Sequence, residues 1–168
     1  MYLGIFMGTV NFKKIMIATD GSTCSEIATE KGIEFARLSG GTVYAVYVVS
    51  SASLFSMDRG YSYSMGMNPD FELMYEEMHE AMKKQGQHAL NYVNGLGEMK
   101  GVNVESVLLD GNPSDELIRY AEEEKMDIII MGTLGKTGLD MLLMGSVAGN
   151  LVRHSKVPVM VVRDKCKL

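Results

Sequence analysis

The sequence predicts an α/β fold: a doubly wound, five-stranded parallel sheet of order 3-2-1-4-5 with helices on both faces. Three observations predict it. Short apolar runs without polar alternation, such as DIIIM at 127–131, mark strands covered on both faces. Segments with helical spacing separate these runs, so the order along the chain is βαβαβαβαβ. Gly, Pro, Asn and Asp clusters fall at the boundaries between them.

The first strand is 14–19 (KIMIAT), stopped by the turn signal Asp20-Gly21-Ser22. The first helix is 23–39. Cys24, Ala28, Gly32, Phe35 and Ala36 share one face, where small residues let it lie close to a sheet, and Gly40-Gly41 ends it. Residues 42–49 (TVYAVYVV) are β-branched and aromatic, a second strand. Residues 50–69 have no period and read as a long loop inserted in the domain, a length that tends to be functional or mobile. A long helix is expected over 70–96, with Phe71, Met74, Met78, Met82, Ala89, Val93 and Leu96 near one face. Gly86 weakens its middle by about 1 kcal/mol relative to Ala. The third strand is 102–108. Asn112 as N-cap, Pro113 at the first helical position and Asp115 in the first turn open the third helix, with Leu117, Ile118 and Ala121 inward. The fourth strand is 127–131, the fourth helix 146–155 and the fifth strand 157–162. Pro158 has no N–H for a ladder, which places that last strand at an edge.

The chain has 168 residues, 46% of them apolar, enough for one domain with a full core. A short extension, 1–11, precedes the domain at 12–163, and a tail, 164–168, follows it. A formal charge of −5 argues against a nucleic-acid partner, which needs clustered Lys and Arg. No apolar run reaches the roughly 18 residues of a membrane span. The start, MYLGIFMGTV, lacks the basic region and cleavage site of a signal peptide, and Met7 is an alternative start. A cytoplasmic protein is expected. Cys24 and Cys166 match no metal or redox spacing and read as free thiols. The 15 methionines read as core filler with a few surface positions, not as a metal or redox set. His79 and His88 are not spaced as a metal pair, His154 falls in the last turn of a helix, and all three read as structural. No Gly-x-Ser-x-Gly elbow is present.

In such sheets a ligand binds beyond the carboxyl ends of the strands, where the strand order reverses. Here that point lies between strands one and four. Two polar exits meet there: Thr19-Asp20-Gly21-Ser22 and the stretch from Gly132 to Asn150. Gly132, Gly135, Gly138 and Gly145 permit close backbone approach. Gly145-Ser146 opens the fourth helix, whose free N–H groups and dipole suit phosphate. The Ser146 hydroxyl either adds a phosphate contact or caps the helix. Asp20 either accepts bonds from a ribose or adenine group or is a turn residue. Ser22 reads as a helix cap, and Lys136 as a phosphate partner or a solvated lysine. Gly135-Lys136-Thr137 looks like the tail of an ATPase P-loop, but the motif's first glycine is missing: Ile130 stands in its place.

These blocks resemble the universal stress protein family. The resemblance rests on KIMIATDGS at 14–22, DIIIMG at 127–132, the spacing Gly132-x2-Gly135-x9-Gly145-Ser146, GSVA at 145–148 and VPVMVV at 157–162. It covers roughly residues 12 to 163. It implies the α/β fold above (adenine nucleotide alpha hydrolase-like), a homodimer through the last strand (Val157 to Val162), and membership of the ATP-binding subgroup. By position, Ala18, Thr19 and Asp20 would line the adenosine pocket, and Val48 would offer backbone groups to the adenine. Met131 and Gly132 would border the ribose. Gly135, Gly145, Ser146, Val147 and Ala148 would hold the phosphates, with Mg²⁺ or Mn²⁺ bridging them and no metal ligand supplied by the chain. Tyr61 and Tyr63 would lid the site or cover a partner subunit.

Three functions follow. One is an ATP-binding regulator or sensor in stress response, acting on an unknown protein partner. Another is a slow or partner-activated ATPase, for which no positioned base and no arginine near the loop can be identified. The third is a dimeric scaffold binding AMP or another adenine nucleotide.

Overall fold

A computed structural model describes residues 12–50, 69–133 and 144–163. Among the described residues nine elements alternate: β1 (Lys14–Ala18), α1 (Thr23–Ser39), β2 (Thr42–Val49), α2 (Pro69–Lys100), β3 (Val104–Asp110), α3 (Pro113–Glu123), β4 (Ile128–Gly132), α4 (Ser146–His154) and β5 (Val159–Val162). All strand pairs are parallel, in the order β3-β2-β1-β4-β5. The expected fold class and edge position of the last strand are therefore the observed ones.

The period-2 geometry of each strand divides the core in two. Ile15, Ile17, Val43, Ala45, Ile128 and Ile130 point to one face and pack with Ile33 and Ala36 of α1 and Leu90 and Val93 of α2. Met16, Ala18, Val46, Ile129 and Met131 point to the other and pack with Leu117 and Ala121 of α3 and Leu151 of α4. The first two crossovers step outward from β1 and the last two step back across it. A single hand of crossover then puts α1 and α2 on one face and α3 and α4 on the other.

Local chemistry sets the ends. Ser22 caps α1, its Oγ accepting from the Ser25 N–H at 3.3 Å, and Gly40 stops that helix in the left-handed region at φ 63°. Asn112 Oδ1 caps α3, accepting from the Ser114 N–H at 3.0 Å, with Pro113 at the start. Asp127 lies one residue before β4. Its Oδ2 accepts from the Lys13 and Lys14 N–H groups at 2.7 and 2.8 Å and ties the start of β1 to β4. Pro158 lies just outside β5, and its carbonyl accepts from the Ile129 N–H at 2.8 Å.

One expectation is refined and another needs correction. The apolar stripe of α2 does not all face the core. Ala89, Leu90 and Val93 are buried and Met82 and Leu96 pack beside them, but Met74 and Met78 are 50% and 36% exposed. Length is the reason: a 32-residue helix runs about 48 Å, against about 26 Å for an eight-residue strand, so the helix outruns the sheet, and the exposed Met74 and Met78 precede His79, which pairs with Asp110 at the end of β3. The Phe71 side chain lies outside the described residues, as do Tyr61, Tyr63 and almost all of the expected 50–69 loop. The correction is Cys24, which is disulfide-bonded and not a free thiol. Sequence distance hid this. Gly132 lies against the Cys24 backbone and pairs with Val162 of β5, so the chain leaves β5 close to Cys24. Cys166, the other cysteine of the sequence, lies outside the described residues.

Among the described residues, no helix is long and apolar enough to cross a membrane.

Candidate functional site

A cavity of about 480 Å³ opens at the carboxyl ends of β1, β2 and β4. It sits at the expected switch point and falls in the usual size range of small-molecule sites. Ala18, Thr19 and Asp20 reach it from the end of β1, Val48 from β2, and Met131 and Gly132 from β4. Gly145, Ser146, Val147 and Ala148 line it from the start of α4. Of the expected site residues, Gly135 alone lies outside the described residues, with Lys136 and Gly138.

The start of α4 gives the cavity its polarity. Gly145 is the N-cap residue, and among the described residues no side chain caps this helix, unlike α1 and α3. Ser146 is therefore the first helical residue and not a cap. Ser146, Val147 and Ala148 form the first turn, whose N–H groups have no acceptor within the helix, and all three residues line the cavity. They carry the positive end of the helix dipole. Two backbone bonds hold this turn in place: Gly145 N–H donates to the Thr133 carbonyl and Gly149 N–H to the Gly145 carbonyl, each at 2.8 Å. Arg153 and His154 at the other end of α4 complement the dipole.

The opposite wall is the turn after β1. Asp20 Oδ1 accepts from the Ser22 N–H at 3.0 Å, so Asp20 does hold the turn, and it also lines the cavity. Thr19 is fixed by its N–H to the Val46 carbonyl at 3.0 Å. Gly132 makes the close approach that only glycine allows here: a Cβ on it would lie 2.8 Å from the Cys24 carbonyl oxygen.

The sequence reading missed several lining residues. Ser25 comes from α1, Tyr47 and Val46 from β2, Met82 and Gln85 from α2, and Pro113 and Leu117 from α3. Val46, Val48, Pro113 and Leu117 form an apolar side suited to a flat base. Signals were present for some. Ser25 and Thr29 are polar residues on the inward face of α1, both buried. Pro113 opens a helix at a strand exit, the same logic that identified Gly145. Among the three histidines, His79 pairs through Nε2 with Asp110 Oδ2 and stacks on Tyr75 at 6.0 Å, a structural contact between α2 and β3.

Fold and site together define a parallel α/β domain with a polarised crevice at its switch point. The family model for the universal stress protein family matches residues 11–163. The chain belongs to that family. It is 37% identical over 156 residues to universal stress protein MJ0531 of Methanocaldococcus jannaschii, covering 93% of this chain and 85% of that one. It superposes on the solved structure of protein MJ0577 of the same organism with a TM-score of 0.76 and 30% identity, covering 92% of this chain and 98% of that one. A universal stress protein of Arabidopsis thaliana solved with AMP bound shares the fold at TM-score 0.62 and 20% identity, covering 91% and 93%.

Proposed function

We propose that this protein binds an adenine nucleotide, with ATP as the physiological ligand, and acts as a nucleotide-dependent regulator in the cytoplasm. The uncapped start of α4 carries the reading. The first turn of α4, with its free N–H groups and positive dipole end, lines a cavity that Val46, Val48, Pro113 and Leu117 also line, a layout suited to a base linked to phosphates. The AMP held by the Arabidopsis relative supports an adenine nucleotide as the ligand class.

Regulation is favoured over turnover by what lines the site. Fast phosphoryl transfer needs a positioned base and charge clamps on the transferred group. Among the described residues, Asp20 is the one carboxylate in the lining, and no histidine, lysine or arginine joins it. Asp20 is already engaged in its turn. No group of three or more acidic, His or Cys side chains among the described residues comes together as a metal site, so Mg²⁺ would be held chiefly by phosphate oxygens. A slow, partner-activated ATPase and an AMP-binding scaffold are the alternatives.

The family resemblance points to a homodimer through β5, and the edge geometry supports it. The Pro158 carbonyl accepts from Ile129 of β4 and the Val162 carbonyl from Thr133 just past it, so by alternation the Val159 and Val161 backbone groups face outward. A bare edge of this kind is satisfied by pairing with a second copy. Calorimetric titration with Mg·ATP and AMP, followed by a phosphate-release assay, tests the function. Micromolar ATP binding with negligible release is expected; rapid release would make it an enzyme.

A further inference from the structure

The cavity wall opposite α4 has a fixed hydrogen-bonding sense. Ser25 Oγ donates to the Ser22 carbonyl at 2.8 Å. A serine hydroxyl has one proton, so that bond commits it. The 3.1 Å bond between Thr19 Oγ1 and Ser25 Oγ must then be donated by Thr19. Thr19 Oγ1 in turn accepts from the Gly21 N–H at 3.2 Å. The relay runs one way, from Thr19 through Ser25 to the backbone. Both residues line the cavity, and both are buried, at 8% and 4% exposure. With their protons committed, each oxygen can only accept from a ligand.

Sheet order says which part of a nucleotide meets this wall. The donor N–H groups of α4 follow β4. The apolar side, with Val46 and Val48, belongs to β2. β1, which ends in Thr19, lies between β2 and β4. A phosphate chain on α4 and a base against β2 leave the sugar over β1. The sugar is also the part of a nucleotide that offers hydroxyl donors, whereas phosphate oxygens offer none.

We infer that the Thr19–Ser25 hydroxyl relay is a specificity determinant that accepts hydrogen bonds from the ribose hydroxyls, selecting ribonucleotides over sugars that lack them. This deepens the proposed nucleotide reading and rests on it. A dideoxy sugar has no hydroxyl to donate to either oxygen, so it forgoes these bonds even when base and phosphates are in place.

The test compares ATP with 2′,3′-dideoxy-ATP by calorimetry in the wild type, Thr19→Val, Thr19→Ser and Ser25→Ala. The wild type should favour ATP by roughly tenfold or more. Thr19→Val should bring the ratio to within about twofold, and Thr19→Ser, which keeps the hydroxyl, should restore it. Ser25→Ala frees the Thr19 proton and should also reduce the ratio, which keeps the test available if Thr19→Val does not fold. The ratio between two ligands is insensitive to a purely structural loss, which would weaken both alike. Equal wild-type binding of the two ligands, or an undiminished ratio in Thr19→Val or in Ser25→Ala, overturns the inference while leaving nucleotide binding intact. A wild type that binds neither overturns the nucleotide reading itself.

Discussion

Gly132 lies so close to Cys24 that a Cβ on it would sit 2.8 Å from the Cys24 carbonyl oxygen and 3.0 Å from the carbonyl carbon. Both contacts are with backbone, so no side-chain rotation relieves them. Gly132→Ala should push the start of α1 away from β4 and disturb the cavity wall that both residues frame. The variant is expected to lose about 1–3 kcal/mol of stability in denaturant unfolding, together with nucleotide affinity. Unchanged stability would mean that α1 yields without cost.

Two glycines in α2 should respond in opposite directions. Gly95 has nothing within 4 Å of an added Cβ, so Gly95→Ala should stabilise the protein by about 0.5–1 kcal/mol through helix propensity alone. At Gly86 a Cβ would lie 2.7 Å from the buried Tyr47 ring and 2.8 Å from Leu108. There the overpacking cost of about 1–3 kcal/mol outweighs the propensity gain, and Gly86→Ala should destabilise. Paired thermal melts decide it. Stabilisation by both variants would show that helix and sheet separate easily at Tyr47.

Asp127→Ala removes the acceptor shared by the Lys13 and Lys14 N–H groups. A loss of about 1–3 kcal/mol is expected, at the low end if water replaces the carboxylate. Hydrogen exchange should show faster opening at the start of β1. A protection pattern equal to wild type would remove Asp127 from this role.

The proposed dimer is best tested on the backbone. Val159 and Val161 side chains pack against the α3–α4 core, so charging them would damage the fold as well as the edge. Val161→Pro deletes one outward N–H and leaves the β4 ladder its donors. Sedimentation should find monomers. A persistent dimer would place the interface elsewhere.

Much of this was legible in the sequence because the signals were local. Asn112-Pro113 fixed the start of α3, Gly40 the end of α1, and Pro158 the edge position of β5. Topology alone then brought Asp20 and Gly145 to one crevice. What stayed hidden depends on distances between elements. The overhang of α2 is a mismatch of helix and strand lengths, visible only once both are laid side by side. The bonded state of Cys24 depends on where β5 ends, far along the chain. Ser25 carries a polar signal on the inward face of α1, but the direction of its proton is set by Ser22 and Thr19 together and shows only in the structure.

The central claim is that the crevice between β1 and α4 holds an adenine nucleotide. The most direct measurement is to denature the purified protein, identify the released small molecules by mass, and titrate the emptied, refolded protein with Mg·ATP. The account predicts an adenine nucleotide near one per chain, or saturable ATP binding that Gly132→Ala weakens. No released nucleotide, with no binding of ATP or AMP at millimolar concentration, would contradict it.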